Sequence, residues 1–343
     1  MRLTTYHTTD GFEELSGSWN DLLRRSYNDR IFSTYEWQRT WWDIYQPGEL
    51  MLIAAHDDEE QLIGIAPWFI ETKDDERILR GIGCVDVTDY VDLIVDQAHL
   101  EIVCRMFARS LTDAQEQYTR VMLCNIPENS PTLAVFASAL KSEGFEVQTA
   151  MQEVCPVIRL PQDFETYIES LEKKQRHELR RKLRRAEGSD SDMTWYQVNI
   201  SHDLNHEINA FISLMAASQP AKAEFLSDPQ NDKFIRAIAQ VTFDRGWLQL
   251  SFLLVDGEAC AAYMNFDYRD EIQVYNSGLL PDKYGHLSPG IILLAHNIKT
   301  AIDTGHHTFD FLRGNEAYKY RMGAVDRGVF QLSAKLMRVG KEQ

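Results

Sequence analysis

The 343-residue sequence predicts an α/β (α+β) protein built as two similar halves, each a mixed, mostly antiparallel sheet flanked by helices. Three observations point there. The length exceeds that of one compact core, so two domains are expected. Short apolar and β-branched runs separated by acidic turns alternate with longer helical patterns. The order of these runs occurs twice.

In the first half, Leu50–Ala55 and Leu62–Ile70 read as strands around an acidic turn. Ile78–Val85 and Tyr90–Val95 look extended, His99–Ala114 helical, and Thr119–Cys124 and Phe145–Met151 read as strands. The second half opens with a helix over Phe164–Glu187, then helices over Asp203–Ser218 and Asp232–Arg245. Trp247–Leu254 and Ala259–Phe266 flank Asp256-Gly257, a strong hairpin signal. Strand Ile272–Gly278, helix Gly290–Asp303 and strand Thr308–Leu312 complete the pattern. Both halves thus run hairpin, third strand, loop, helix, strand, which suggests an internal duplication. The boundary is expected near Cys155-Pro156, giving domains 1–155 and 156–343.

Composition narrows the function. The chain is 44% hydrophobic, 25% charged and 11% aromatic, as in ordinary soluble globular proteins. The apolar run Ile291–Ala295 is far short of a membrane span, and the N-terminus shows no apolar signal region, so a cytoplasmic protein is expected. Five scattered cysteines without metal-like spacing read as reduced thiols, and no metal is expected. The net charge of −17 argues against general nucleic-acid binding. One stretch departs from this balance. Lys173–Arg185 carries eight basic residues and one acid, a net +7, leaving −24 on the remainder.

Two segments carry the chemistry. Phe309–Gly323 ends an apolar strand in Arg313-Gly314 and then gathers Tyr318, Lys319, Tyr320 and Arg321. Aromatic rings interleaved with cations suit an anion or a polar reacting group. Upstream, Tyr284–Gly290 leads into an apolar helix, with Ser288 as candidate N-cap, Pro289 at the first helical position and Gly290 allowing close approach. A helix entry of this kind offers unpaired N–H groups and a positive dipole end to a pyrophosphate. Gly285, His286, Leu287, Ser288, Gly290 and Ile291 are therefore candidate pyrophosphate-binding residues, or simply a capped turn.

Tyr275-Asn276-Ser277-Gly278, Tyr284, Ser288-Pro289-Gly290, Gly305, Phe309-Asp310-Phe311, Gly314, Glu316, Tyr318-Lys319 and Gly323 resemble the C-terminal signature of CelD-like acetyltransferases. That branch of the GNAT superfamily is associated with cellulose and exopolysaccharide biosynthesis and is related to the Fem aminoacyltransferases. The resemblance extends to Lys173–Arg185, Phe32–Trp37 with Trp41-Trp42, Gly64–Pro67 and Asp89–Asp92, and so covers nearly the whole chain. It implies tandem GNAT-like domains, an acceptor or structural role for the first, and acetyl-CoA (acyl-CoA) binding and catalysis in the second. Tyr275 and Asn276 join the donor-binding set on the same ground.

The resemblance also implies that Tyr318-Lys319 handles the acyl-transfer intermediate. Charge develops on the thioester carbonyl oxygen under attack, and a positioned cation lowers that barrier. Lys319 could do this or bind an anionic acceptor. Arg313 and Arg321 could clamp phosphates. Asp310 and Glu316 flank the cluster, and Asp310 either faces a cleft or caps the following turn. Tyr284 is a candidate acid near the donor sulfur, or simply a packed tyrosine.

Arg176, Arg180 and Arg184 share one face of the basic helix, as candidates for a phosphate-bearing substrate, for contact with an anionic membrane surface, or as solvated charge. Trp37, Trp41 and Trp42 match a buried helix face. Asp86, Asp89 and Asp92 are turn residues that could also meet an acceptor. No serine or cysteine sits in a nucleophile setting, so direct transfer to an amine or hydroxyl of a small molecule, sugar or cell-envelope precursor is expected. The rivals are a Fem-like enzyme using aminoacyl-tRNA, and a non-catalytic scaffold in polysaccharide assembly.

Overall fold

The computed structural model describes residues 1–84, 87–188 and 191–337. Val85 and Asp86, at the end of one predicted strand and in the acidic trio, lie outside them. Contacts divide the chain into two units, Met1–Glu153 with Arg327–Gln343, and Val154–Asp326. The last strand therefore groups with the first unit, whereas the sequence assigns everything after residue 155 to the second domain.

The elements begin with β1 (Arg2–Tyr6), α1 (Asp10–Arg25), α2 (Tyr35–Tyr45), β2 (Glu49–His56), β3 (Leu62–Lys73) and β4 (Glu76–Gly81). There follow β5 (Ile94–Val95), α3 (Leu100–Asp113), β6 (Arg120–Pro127), α4 (Val135–Ser142) and β7 (Phe145–Arg159). Next come α5 (Phe164–Ser170), α6 (Lys173–Glu187), β8 (Met193–Gln197), α7 (Leu204–Ser218), α8 (Pro220–Ser227) and α9 (Pro229–Asp244). The strands β9 (Leu248–Val255), β10 (Glu258–Tyr268) and β11 (Glu271–Leu279) precede α10 (Pro281–Tyr284) and α11 (Pro289–Asp303). β12 (Thr308–Asp310), α12 (Ala317–Arg321) and β13 (Val325–Leu336) close the chain.

In the first unit the sheet order is β1-β2-β3-β4-β6-β13-β7. β1 to β4 are antiparallel, and β6 returns parallel to β4 after α3. α2 starts where the Thr34 hydroxyl accepts the Trp37 N–H at 3.2 Å. Trp37, Trp41 and Trp42 are buried, so that stripe is core, as expected. Cys84 and Cys124 form a disulfide with Cα atoms 5.9 Å apart, which corrects the expectation of five reduced thiols. Cys104, Cys155 and Cys260 are buried.

In the second unit residues 154–159 of β7 begin a sheet ordered β7-β12-β11-β10-β9-β8. The plan repeats that of the first unit: antiparallel strands, a crossover helix, then one parallel strand, here β12 against β11. The Asp256-Gly257 turn has φ of +53° and +81°, the conformation for which Asp-Gly is selected in hairpins. One sheet face buries Leu253, Tyr263, Ile272 and Val274 with α11, and the other buries Leu250, Phe252, Ala262 and Met264 with α7 and α9. Gly278 lets the α7 backbone approach β11, since a Cβ there would lie 2.5 Å from the Met215 nitrogen.

The single helix predicted over Phe164–Glu187 is two helices. Leu171 and Glu172 turn extended, with ψ of 151° and 142°, because Leu171 leaves the helical path to enter the core. The Asp163 carboxylate caps α5 through the Thr166 N–H at 2.8 Å.

Candidate functional site

The site lies in the second unit, where two strands part. β11 and β12 pair only from Glu271–Gln273 to Thr308–Asp310. Beyond Asp310 the chain stays with the end of β7: Phe311 N–H donates to Pro156 O at 2.9 Å and Gly314 N–H to Val154 O at 3.0 Å. β11 instead follows β10, with Tyr275 inserted as a bulge between the partners of Met264 and Asn265. A gap opens between them.

The parity of the β10–β11 ladder decides which groups face this gap. Leu280 N–H donates to Cys260 O, so pairs two residues along, Gly278–Ala262 and Asn276–Met264, are the hydrogen-bonded ones. Ser277 lies between them and turns its N–H and C=O away from β10. Its N–H donates to the Asn276 side-chain oxygen at 2.9 Å. Its C=O accepts from the ammonium of Lys222 on α8 at 2.6 Å. Burial pushes the Lys222 pKa down to about 8, opposed by the charge of Glu316. Lys222 has no signature in the sequence that singles it out, because its link to Ser277 spans 55 residues.

Across the gap, the loop after β12 is held from inside. Asp310 is fully buried and accepts the Leu312 N–H at 2.8 Å, so it caps the turn, the second of its two sequence alternatives. The bond supports the left-handed φ of +55° at Leu312. Lys319, only 2% exposed, donates to the carbonyls of Leu312, Arg313 and Gly314 at 3.2, 2.9 and 3.0 Å. It also pairs with Glu316 at 2.9 Å. An ammonium has three N–H groups, so this one is engaged by its own loop. Tyr318 packs edge-on to Phe311 with centroids 5.9 Å apart, and burial raises its pKa.

Beside α12 lies a cavity of about 660 Å³, lined by Lys174, His177, Glu178, Arg181 and Lys182 of α6, with Ile291, Tyr318, Arg321 and Met322. Four permanent cations face it. Lys182 also donates to the Ser288 hydroxyl at 3.0 Å, and Arg185 to His286 O at 3.3 Å. The basic helix thus grips the turn that opens α11.

Ser288 departs from its expected role. It adopts φ +59° and its side chain caps no helix N–H. Gly290 does allow close approach, but of Leu279 on β11, 2.8 Å from a Cβ placed there. Gly285 and His286 are exposed and Leu287 is half-buried. Tyr284 donates to Glu258 at 2.7 Å, a bond that raises its pKa. Tyr275 lies tilted against Phe266, with ring centroids 5.1 Å apart. Arg180 pairs with Glu165 and Arg184 donates to Arg180 O at 3.3 Å; neither lines the cavity. Asp89 is buried in the first unit. Among the described residues no cluster of His, Cys, Asp and Glu could hold a metal, and no helix is long and apolar enough to cross a membrane.

Residues 173–320 match the family described as acetyltransferase (GNAT) domain. No curated protein matches the chain. Among solved structures, FemX is similar at 11% identity and TM-score 0.67 over 98% of each chain. L-PGS from Bacillus licheniformis gives 11% and 0.54 over 97% of this chain and 94% of that one. A tandem GNAT protein from the clavulanic acid biosynthesis pathway gives 13% and 0.51 over 97% and 98%. Residues 173–320 match a GNAT acetyltransferase domain, and the chain shares the fold of tandem GNAT proteins.

Proposed function

We propose that this protein is an acyltransferase that moves an acetyl or other acyl group from acyl-CoA directly to an amine or hydroxyl. The observation that carries the reading is the cationic cavity of Lys174, Arg181, Lys182 and Arg321 in the same unit as the β11–β12 gap. The residues fit such a donor. Cations that ring a cavity suit the phosphates of coenzyme A, and the gap left where β11 and β12 stop pairing suits its arm. Bound there, the donor supplies an activated thioester carbonyl.

Lys319 serves as a positioning residue in this reading: it shapes the 312–314 loop rather than contacting the carbonyl oxygen. Glu316, exposed beside it, is suited to hold an acceptor amine. The CelD-like signature favours a sugar or cell-envelope precursor as acceptor. Calorimetric titration with acetyl-CoA, a longer acyl-CoA and free coenzyme A tests the reading; binding of at least one is expected, and no heat from any would overturn it. The fold likeness to FemX and the basic α6 keep an aminoacyl-tRNA donor as the second reading. Steep salt-sensitive RNA binding without coenzyme A binding would favour it.

A further inference from the structure

We infer that Lys222 is a self-acylation site, where the protein takes an acyl group from its own donor onto a side-chain amine. The inference rests on the acyl-thioester reading above. Its contacts with Ser277 place Lys222 for this. Its ammonium sits on the Ser277 carbonyl, 2.6 Å away, and that carbonyl belongs to the edge of β11 turned toward the gap. An arm lying in the gap beside this edge would bring its thioester alongside the amine. The Ser277 hydroxyl, 3.3 Å from the same nitrogen, holds the side chain there.

The nitrogen can also react. Burial holds its pKa to about 8, so roughly a tenth is neutral at neutral pH. Exposed lysines, near 10.4, are neutral to well under about 0.1%. A neutral amine keeps two N–H groups for the Ser277 oxygens and has a lone pair for attack. Lys319 is also buried, yet its N–H groups are engaged by three carbonyls and Glu316. Among the described residues, Lys222 is the lysine that combines a contact with the gap edge and a depressed pKa.

The step balances without a further reactant. The Lys222 nitrogen forms an amide bond to the acyl carbon, the C–S bond breaks with its electron pair going to sulfur, and one amine proton ends on the released thiol. The product has lost its positive charge and projects an acyl group into the gap.

The test incubates the full-length protein with acetyl-CoA alone, followed by intact mass and peptide mapping, with coenzyme A binding measured in parallel by calorimetry. One acetyl group per chain, mapped to Lys222, is expected. The modification should vanish in Lys222→Arg and persist in Lys299→Arg, which alters an exposed lysine paired to Asp303. Acetylation scattered over exposed lysines, or confined to another residue, would overturn the inference. Coenzyme A binding without acylation would sink the inference and leave the acyltransferase reading standing. Absence of both would sink the two together. Mapping on the unaltered protein keeps the test independent of how Lys222→Arg folds.

Discussion

The ammonium of Lys182 lies 3.0 Å from the hydroxyl of Ser288, so the basic helix α6 is tied to the turn that opens α11. Two sequence features, a polybasic stretch and a Ser-Pro-Gly helix entry separated by about a hundred residues, are thereby one structure. The same lysine faces the cavity shared with Arg181, Tyr318 and Arg321.

Removing that cation should weaken donor binding without unfolding the protein. Lys182 is partly exposed, and its pairing with Glu178 at 3.7 Å adds little to stability. One charge-assisted phosphate contact is worth about 1.5 kcal/mol, so Lys182→Ala should raise the Kd for coenzyme A about tenfold. Calorimetry of the variant checks it, with an unchanged melting temperature as control.

Lys319 should matter more for stability than its ion pair suggests. Glu316 is 58% exposed, so losing its charge costs under about 1 kcal/mol. Three carbonyls left without their donor cost more, about 3 kcal/mol together. Denaturant unfolding should therefore show Lys319→Met far more destabilised than Glu316→Gln. Equal effects would mean that the pair, not the loop, is what Lys319 serves.

Gly278→Ala should disturb the α7–β11 contact. Its new Cβ would meet backbone atoms, Met215 N at 2.5 Å and Leu214 C at 2.6 Å, which no rotamer change relieves. Overpacking of this kind costs about 1–3 kcal/mol, read as a lower melting temperature. Because Ser277 is its neighbour, coenzyme A binding should weaken as well.

His306 gives the second unit a pH-dependent contribution. Its Nε2 lies 2.9 Å from Asp267, and that bond raises the imidazole pKa above 6.5. The folded state therefore holds the proton more tightly than the unfolded chain. The stabilisation is full below the unfolded value and is lost as pH rises through the folded one. His306→Gln should lower the melting temperature more at about pH 5.5 than at about pH 8.5, by less than about 1 kcal/mol since Asp267 is 42% exposed.

Where local chemistry decides, the fold was legible in the sequence. Asp256-Gly257 places the β9–β10 turn because its backbone conformation favours those residues, and the apolar run after Pro289 is the buried α11. Tertiary choices were not legible. Leu171 breaks the helix before α6 to reach a core formed by residues far along the chain. The Cys84–Cys124 bond joins positions 40 residues apart. Of the candidate site, Tyr318, Arg321, Ile291 and the basic helix do line one cavity. The engagement of Lys319 by its own loop depends on the left-handed turn at Leu312, which no propensity predicts for leucine. Lys222 was invisible because its partner is a backbone carbonyl exposed only by the strand gap.

The most direct test is titration of coenzyme A into the unaltered protein and into the double variant Arg181→Ala, Lys182→Ala. Binding is expected to weaken with added salt and to fall by about a hundredfold in the double variant. No binding, or equal affinity in both proteins, would contradict it.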